Sequence, residues 1–172
     1  MRRAASQGLV FVLALSVGVL SACVLPRMAP GPAALHLREV AGEGDGRRRA
    51  STALALQALD AEIAGDGARA RGLYARALQT DASNPYAYLA LARHHAENGD
   101  AGPTLEHLAR AEDLLRAESP DSPRVEVHLA GLRGVALALQ GRRAEGDLWL
   151  ARASRAAPAV WGDGRLSAAE LR

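Results

Sequence analysis

Small and apolar residues recur at helical spacing through most of the chain, in a pattern with a period of about 34 residues. Gly65 and Gly99 lie 34 residues apart, and Gly141 follows 42 residues after Gly99. The same two intervals separate three alanines, Ala77, Ala111 and Ala153. The longer interval places an insertion of eight residues near ESPDSPRV. This pattern predicts three pairs of helices, each joined by a short turn at a glycine.

The period resembles the tetratricopeptide repeat, in which each copy is a hairpin of two antiparallel helices. The middle copy carries the family's positions best, at Tyr88, Leu91, Ala92, His95, Thr104, Leu108 and Ala111. The other copies keep the small positions but weaken the large ones. The resemblance implies an all-α fold, an α-solenoid of about three hairpins over 51–84, 85–118 and 127–160, with a plain helical bundle as the alternative.

Residues that favour the starts and ends of helices refine the bounds of these pairs. Asn84 before Pro85 predicts the cap and first turn of a helix. Residues 161–172 are expected to form a C-terminal cap over the stack, with a helix that opens at Ser167 and carries Glu170 three residues later.

The N-terminus has the pattern of a secretory signal over residues 1–22. Arg2 and Arg3 precede an uncharged, mostly apolar run from Gly8 to Leu20, which is shorter than the ~20 residues of a membrane span. The stretch LSAC at 20–23 resembles the bacterial lipobox. That resemblance implies lipid on Cys23 and cleavage before it, and a signal that is cleaved conventionally or retained is the alternative.

Residues 23–50 are rich in proline and glycine, which predicts a flexible tether behind the lipidated cysteine. Its arginine run, 47–49, is expected to be a solvated charge cluster, with a contact to lipid headgroups or nucleic acid as the alternative. Several acyl chains on one cysteine would hold the protein durably at a bilayer, whereas one chain binds marginally. Val24, where inner-membrane lipoproteins often carry aspartate, favours the outer membrane, facing the periplasm.

Charge and composition narrow the function further. The net charge of +2 comes from Arg2 and Arg3, and the rest of the chain balances 19 arginines against 19 acids. A neutral domain has no general field for nucleic acid, so no nucleic-acid partner is expected. The chain has no lysine, which excludes a Schiff-base or P-loop lysine.

No arrangement of residues predicts catalysis. His94 and His95 are adjacent, so on a helix they do not share a face and do not form a metal pair. The sequence has no G-x-S-x-G elbow, P-loop or dinucleotide fingerprint. The expectation is a protein that is not an enzyme and has no metal and no cofactor.

Binding of a protein partner is the class of function that these observations leave. In the family that the repeats resemble, the first helix of each hairpin lines a concave groove. That implies a partner-binding groove at Tyr86, Leu89, Arg93, Glu97 and His128, with Glu62 on the same face. Arg93 would pair with a carboxylate and Tyr86 would anchor the partner, unless Tyr86 and Leu89 seal the stack instead.

The sequence therefore favours a scaffold for protein–protein interaction, held by its lipid in the cell envelope. It resembles lipoproteins that assist assembly of an outer-membrane pore, a pilus or a secretion machine. The partner would be an envelope protein or a peptide segment. The alternatives are a self-associating structural lipoprotein and an accessory subunit of a cell-wall enzyme.

Overall fold

A computed structural model of the protein describes residues 34–118 and 122–172, and within these ranges the chain is helical without strands. The all-α fold class is thus confirmed. The predicted signal at 1–22, the lipidation site Cys23 and the first part of the tether lie outside the described residues. Eight α-helices follow a short 3-10 helix, Leu37–Glu39. They are α1 Gly46–Ile63, α2 Gly67–Thr80, α3 Pro85–Glu97, α4 Ala101–Glu118, α5 Pro123–Leu139, α6 Arg143–Ala156, α7 Pro158–Trp161 and α8 Ala168–Leu171.

The six long helices form three consecutive pairs, α1–α2, α3–α4 and α5–α6, whose members pack against each other. The turn inside each pair contains a glycine with positive φ, at Gly65, Gly99 and Gly141 (80°, 81° and 83°). Side chains with a Cβ rarely adopt this conformation, so glycine fixes the position of each turn. The three predicted turns are confirmed.

Each pair contacts the next one along the chain. Helix α3 packs on α1 and α2, and α5 packs on α3 and α4. A buried asparagine fastens the first junction, because the Asn84 side chain caps α3 and also donates to Ser51 and Thr52 of α1, at 2.9 and 3.0 Å. The predicted cap at Asn84 and first turn at Pro85 are confirmed.

The third pair is held at very close range by two glycines. A Cβ built on Gly134 of α5 would lie 2.8 Å from the carbonyl oxygen of Gly146 on α6. A Cβ on Gly146 would lie 2.7 Å from the carbonyl oxygen of Gly134. The two backbones are therefore in direct contact, which no larger residue allows.

The segment predicted as a tether is packed from residue 34 onwards, which corrects the expectation for its second half. Leu35, Leu37 and Val40 are buried, because three apolar side chains close together outweigh the glycine and proline around them. Helix α1 begins at Gly46 instead of 51, since the Asp45 side chain caps it by accepting from the Arg48 amide.

Arg48 lies within this helix and joins two later parts of the chain. Its guanidinium donates to Asp81 at 2.6 Å and to Glu118 at 2.8 Å. Burial alone would raise the pKa of Asp81, but hydrogen bonds from Ser83 and Arg48 lower it overall. The expectation of a solvated cluster at 47–49 is wrong for Arg48, because these carboxylates lie next to it only in the folded chain.

The C-terminal helix α8 opens as predicted. Ser167 accepts from the Glu170 amide, and the Glu170 carboxylate accepts from the Ser167 amide, which completes a capping box. Its location differs from the expected end cap, since α8 packs on α1 and α3 and not on the outer side of α6. The segment around the 3-10 helix and the C-terminal segment therefore both contact the first helices of the pairs.

Candidate functional site

The face predicted to bind a partner is covered in part by the segment around Leu35 and by the C-terminal segment. Leu89 and His128 are fully buried, and Arg93 is only 2% exposed. Tyr86 is half-buried against the core, and Glu97 is exposed but paired with Arg165 of the C-terminal segment at 2.9 Å. The structure brings these five residues to one face, but that face is internal for three of them.

His128 is the point where the two terminal segments meet. Its Nε2 lies 2.8 Å from the carbonyl oxygen of Leu35, and the indole N–H of Trp161 donates to its Nδ1 at 3.3 Å. The proton of the neutral ring is therefore on Nε2, which donates to Leu35. The expectation of a groove residue open to a partner does not hold for His128.

Trp161 fills the rest of this site. Its ring lies against Gly131 of α5, where an added Cβ would be 2.3 Å from a ring carbon. The side chain is fully buried, so the indole joins the C-terminal segment to α5. Gly131 supplies the space that this contact requires.

Arg93 also has an internal partner. It forms an ion pair with Glu62 of α1, which accepts in addition from the Tyr74 hydroxyl at 3.2 Å and contacts Nδ1 of His94. Burial lowers the pKa of Arg93 to about 10 and also lowers the pKa of His94. The carboxylate that Arg93 was expected to find on a partner is thus Glu62.

The stability of the protein is expected to fall as the pH drops from about 6.5 towards 4. Burial lowers the pKa of His128 from 6.5 to about 4, although its bond to the Leu35 carbonyl acts in the opposite direction. The unfolded chain binds a proton in this range and the folded one does not, so stability rises with pH. The contribution of His128 is complete above pH 6.5 and amounts to about 2 kcal/mol lost at pH 5.

Urea unfolding of the wild type and of His128→Gln at pH 7 and pH 5 measures this effect. Glutamine keeps a donor for Leu35 and an acceptor for Trp161 but does not titrate. The two proteins differ at this residue alone, so the comparison isolates its contribution. We expect the variant to lose about 2 kcal/mol less than the wild type between the two pH values, and equal losses would contradict the assignment.

An open cleft lies on another part of the surface, where α4, α5 and α6 meet. Its volume is about 230 Å³, and Leu115, Val125 and Leu129 provide its apolar part. Trp149 of α6 is partly buried against the core and lines this cleft. The cleft is therefore a concave surface with an accessible aromatic ring, the usual form of a binding site.

Arginine side chains surround this tryptophan. The guanidinium carbons of Arg133 and Arg152 lie 5.0 and 5.8 Å from the centre of a Trp149 ring, within the range of cation–π contacts. Arg133 also pairs with Glu112. Arg152 is highly exposed and lies 3.9 Å from Glu126, so it is available to another carboxylate.

The cleft can therefore stack an apolar or aromatic side chain on Trp149 and pair a carboxylate with Arg152. The sequence analysis missed it, because the repeat resemblance directed attention to the first helix of each pair. The available signal was Trp149 itself, since aromatic residues make up only 3% of the chain. Within 34–118 and 122–172, the structure has no group of three or more side chains suited to hold a metal ion.

Comparisons with known proteins do not assign the chain to a family. No protein-family model matches it, and no match exists among curated proteins or solved structures. Among the helices of the described residues, none combines the length and hydrophobicity needed to cross a membrane.

Proposed function

We propose that this protein is a lipid-anchored scaffold that binds protein segments in the bacterial cell envelope. The observation that carries the proposal is the open Trp149 cleft on an array of three helix pairs. Helix pairs stacked in sequence form extended surfaces for recognition, and the tetratricopeptide-like spacing of the glycine turns supports this use. The lipobox resemblance at Cys23 supports the anchor, with the outer membrane as its site.

The binding surface in this proposal is the Trp149 cleft and not the face of Tyr86, Leu89 and Arg93. At the latter face Leu89 and Arg93 are buried and Arg93 is paired with Glu62, so a partner would first have to open this packing. At the cleft, a partner needs no such displacement. Its expected contact is a segment with an apolar or aromatic side chain near a carboxylate, matching Trp149 and Arg152.

Site-specific photo-crosslinking in the native envelope tests this proposal. A photoreactive residue in place of Arg116, at the rim of the cleft, is expected to form an adduct with one partner protein. The adduct should decrease about tenfold in a Trp149→Ala background, since truncating a central aromatic contact commonly costs more than ~1.4 kcal/mol of binding. Mass spectrometry identifies the partner.

The matched control places the same photoreactive residue at Ala53, an exposed position of α1 far from the cleft in sequence. Equal adducts at both positions, or adducts that survive Trp149→Ala, would contradict the cleft as binding site. Adducts between two copies of the chain would indicate the self-associating lipoprotein instead. The mass of the mature protein tests the anchor, which fails if Cys23 is unmodified.

A further inference from the structure

The first helix pair carries most of the arginines that lack a carboxylate partner. Elsewhere in the chain several arginines are paired with acids, among them Arg93, Arg133 and Arg165. Five arginines of the first pair have no ion pair within the described residues: Arg47, Arg49, Arg69, Arg71 and Arg76. The charge of a nearly neutral protein is therefore unevenly distributed.

Helix α2 carries three of these arginines, with Arg69 and Arg76 on one flank of its exposed side and Arg71 on the other. Its sequence, GARARGLYARALQT, contains three arginines and no acid. Leu73, Tyr74 and the alanines at 70 and 77 are buried, whereas Arg69, Arg71 and Arg76 are exposed. The carboxylates nearest in sequence are already engaged, since Glu62 binds Arg93 and Asp66 accepts from the backbone at the start of α2.

The proposed anchor brings this face close to lipid headgroups. Ala34, the first described residue, follows Cys23 by eleven residues, which span at most about 40 Å when extended. A folded body held within this distance can contact the membrane surface. The orientation that brings unpaired arginines to anionic phosphates is favoured, because the guanidinium binds phosphate in a bidentate manner.

We propose that the outer face of α2, at Arg69, Arg71 and Arg76, rests on the anionic phospholipid headgroups of the membrane that holds the chain. This inference rests on the proposed lipid anchor at Cys23. The contact would fix the orientation of the body at the bilayer through the first helix pair, while the Trp149 cleft belongs to the second and third.

A fluorescent reporter on α2 tests the contact in the lipidated full chain, reconstituted into vesicles. Ala75 is exposed between Arg71 and Arg76, and Ala75→Cys carries an environment-sensitive dye. Cys23 is the only native cysteine, and its lipid blocks it from the dye. We expect quenching by a headgroup-attached quencher in phosphatidylcholine vesicles that contain phosphatidylglycerol, and none in phosphatidylcholine alone.

Two triple variants distinguish a specific contact of the α2 face from an effect of the protein's overall charge. Arg69→Gln, Arg71→Gln and Arg76→Gln together should abolish the dependence on phosphatidylglycerol, each change lowering the contact equilibrium about fivefold. Arg110→Gln, Arg143→Gln and Arg155→Gln remove the same charge from exposed arginines of α4 and α6, and should leave the quenching intact.

The outcomes distinguish the two proposals. If mass spectrometry of the reconstituted protein shows Cys23 unmodified, the anchor fails and this inference fails with it. If Cys23 is lipidated but quenching is equal in both vesicle types, or equal in both triple variants, the α2 contact is overturned and the anchor stands.

Discussion

Replacing Trp161 with alanine is expected to lower the free energy of unfolding by about 3–5 kcal/mol. The indole is fully buried and lies against Gly131 of α5, so its removal leaves a cavity that the helix cannot fill. His128 also loses the N–H that its Nδ1 accepts. Chemical denaturation followed by circular dichroism measures the loss, because the helical signal remains usable without the tryptophan.

Trp149 provides the matched control, since it is the only other tryptophan of the chain. Its side chain is only partly buried beside the cleft, so Trp149→Ala should cost about 2 kcal/mol of stability or less. Similar losses for the two variants would show that the C-terminal segment is not part of the core. The pair thus separates a tryptophan that stabilises the fold from one proposed to bind a partner.

Replacing Gly134 with alanine is expected to destabilise the protein by about 3 kcal/mol, although one methyl group is added. The new Cβ would lie 2.8 Å from the carbonyl oxygen of Gly146 and 2.9 Å from the amide nitrogen of Leu150. Both atoms belong to the backbone of α6, so relief requires that the two helices separate. Thermal and urea unfolding of the variant measure the cost.

Gly72 also lies within a helix, α2, but unlike Gly134 it has no close neighbour. An added Cβ at Gly72 has no atom within 4 Å, so Gly72→Ala meets open space. We expect it to stabilise the protein by about 0.5–1 kcal/mol, through the better helix propensity of alanine. If Gly134→Ala also stabilised the protein, the close contact between α5 and α6 would be wrong.

Local signals explain what the sequence predicted well. The glycine turns, the Asn84 cap and the capping box at Ser167 each depend on residues within one or two helical turns. Their conformations follow from positive φ, a short polar side chain or a reciprocal hydrogen bond, whatever the rest of the chain does. The positions of the helix pairs can therefore be predicted without knowledge of tertiary contacts.

Long-range contacts explain what the sequence analysis missed. Composition alone indicated a tether at 23–50, but Leu35 in its described part bonds to His128 of α5, 93 residues later. Glu62 and Arg93 were placed on one face, yet nothing local indicates that they bind each other. Trp149 stands out only by its rarity, and its arginine neighbours come partly from α5.

The return of α8 to the start of the array changes how the protein comes apart. In an open series of helix pairs, each unit contacts only its neighbours, and the outermost unit can fray without disturbing the far end. Here Arg172 pairs with Asp60 of α1, and its carbonyl oxygen accepts from the Arg38 amide. Loosening the first pair would also release the last residues of the chain. We therefore expect the first and last helices to unfold together, in one cooperative transition.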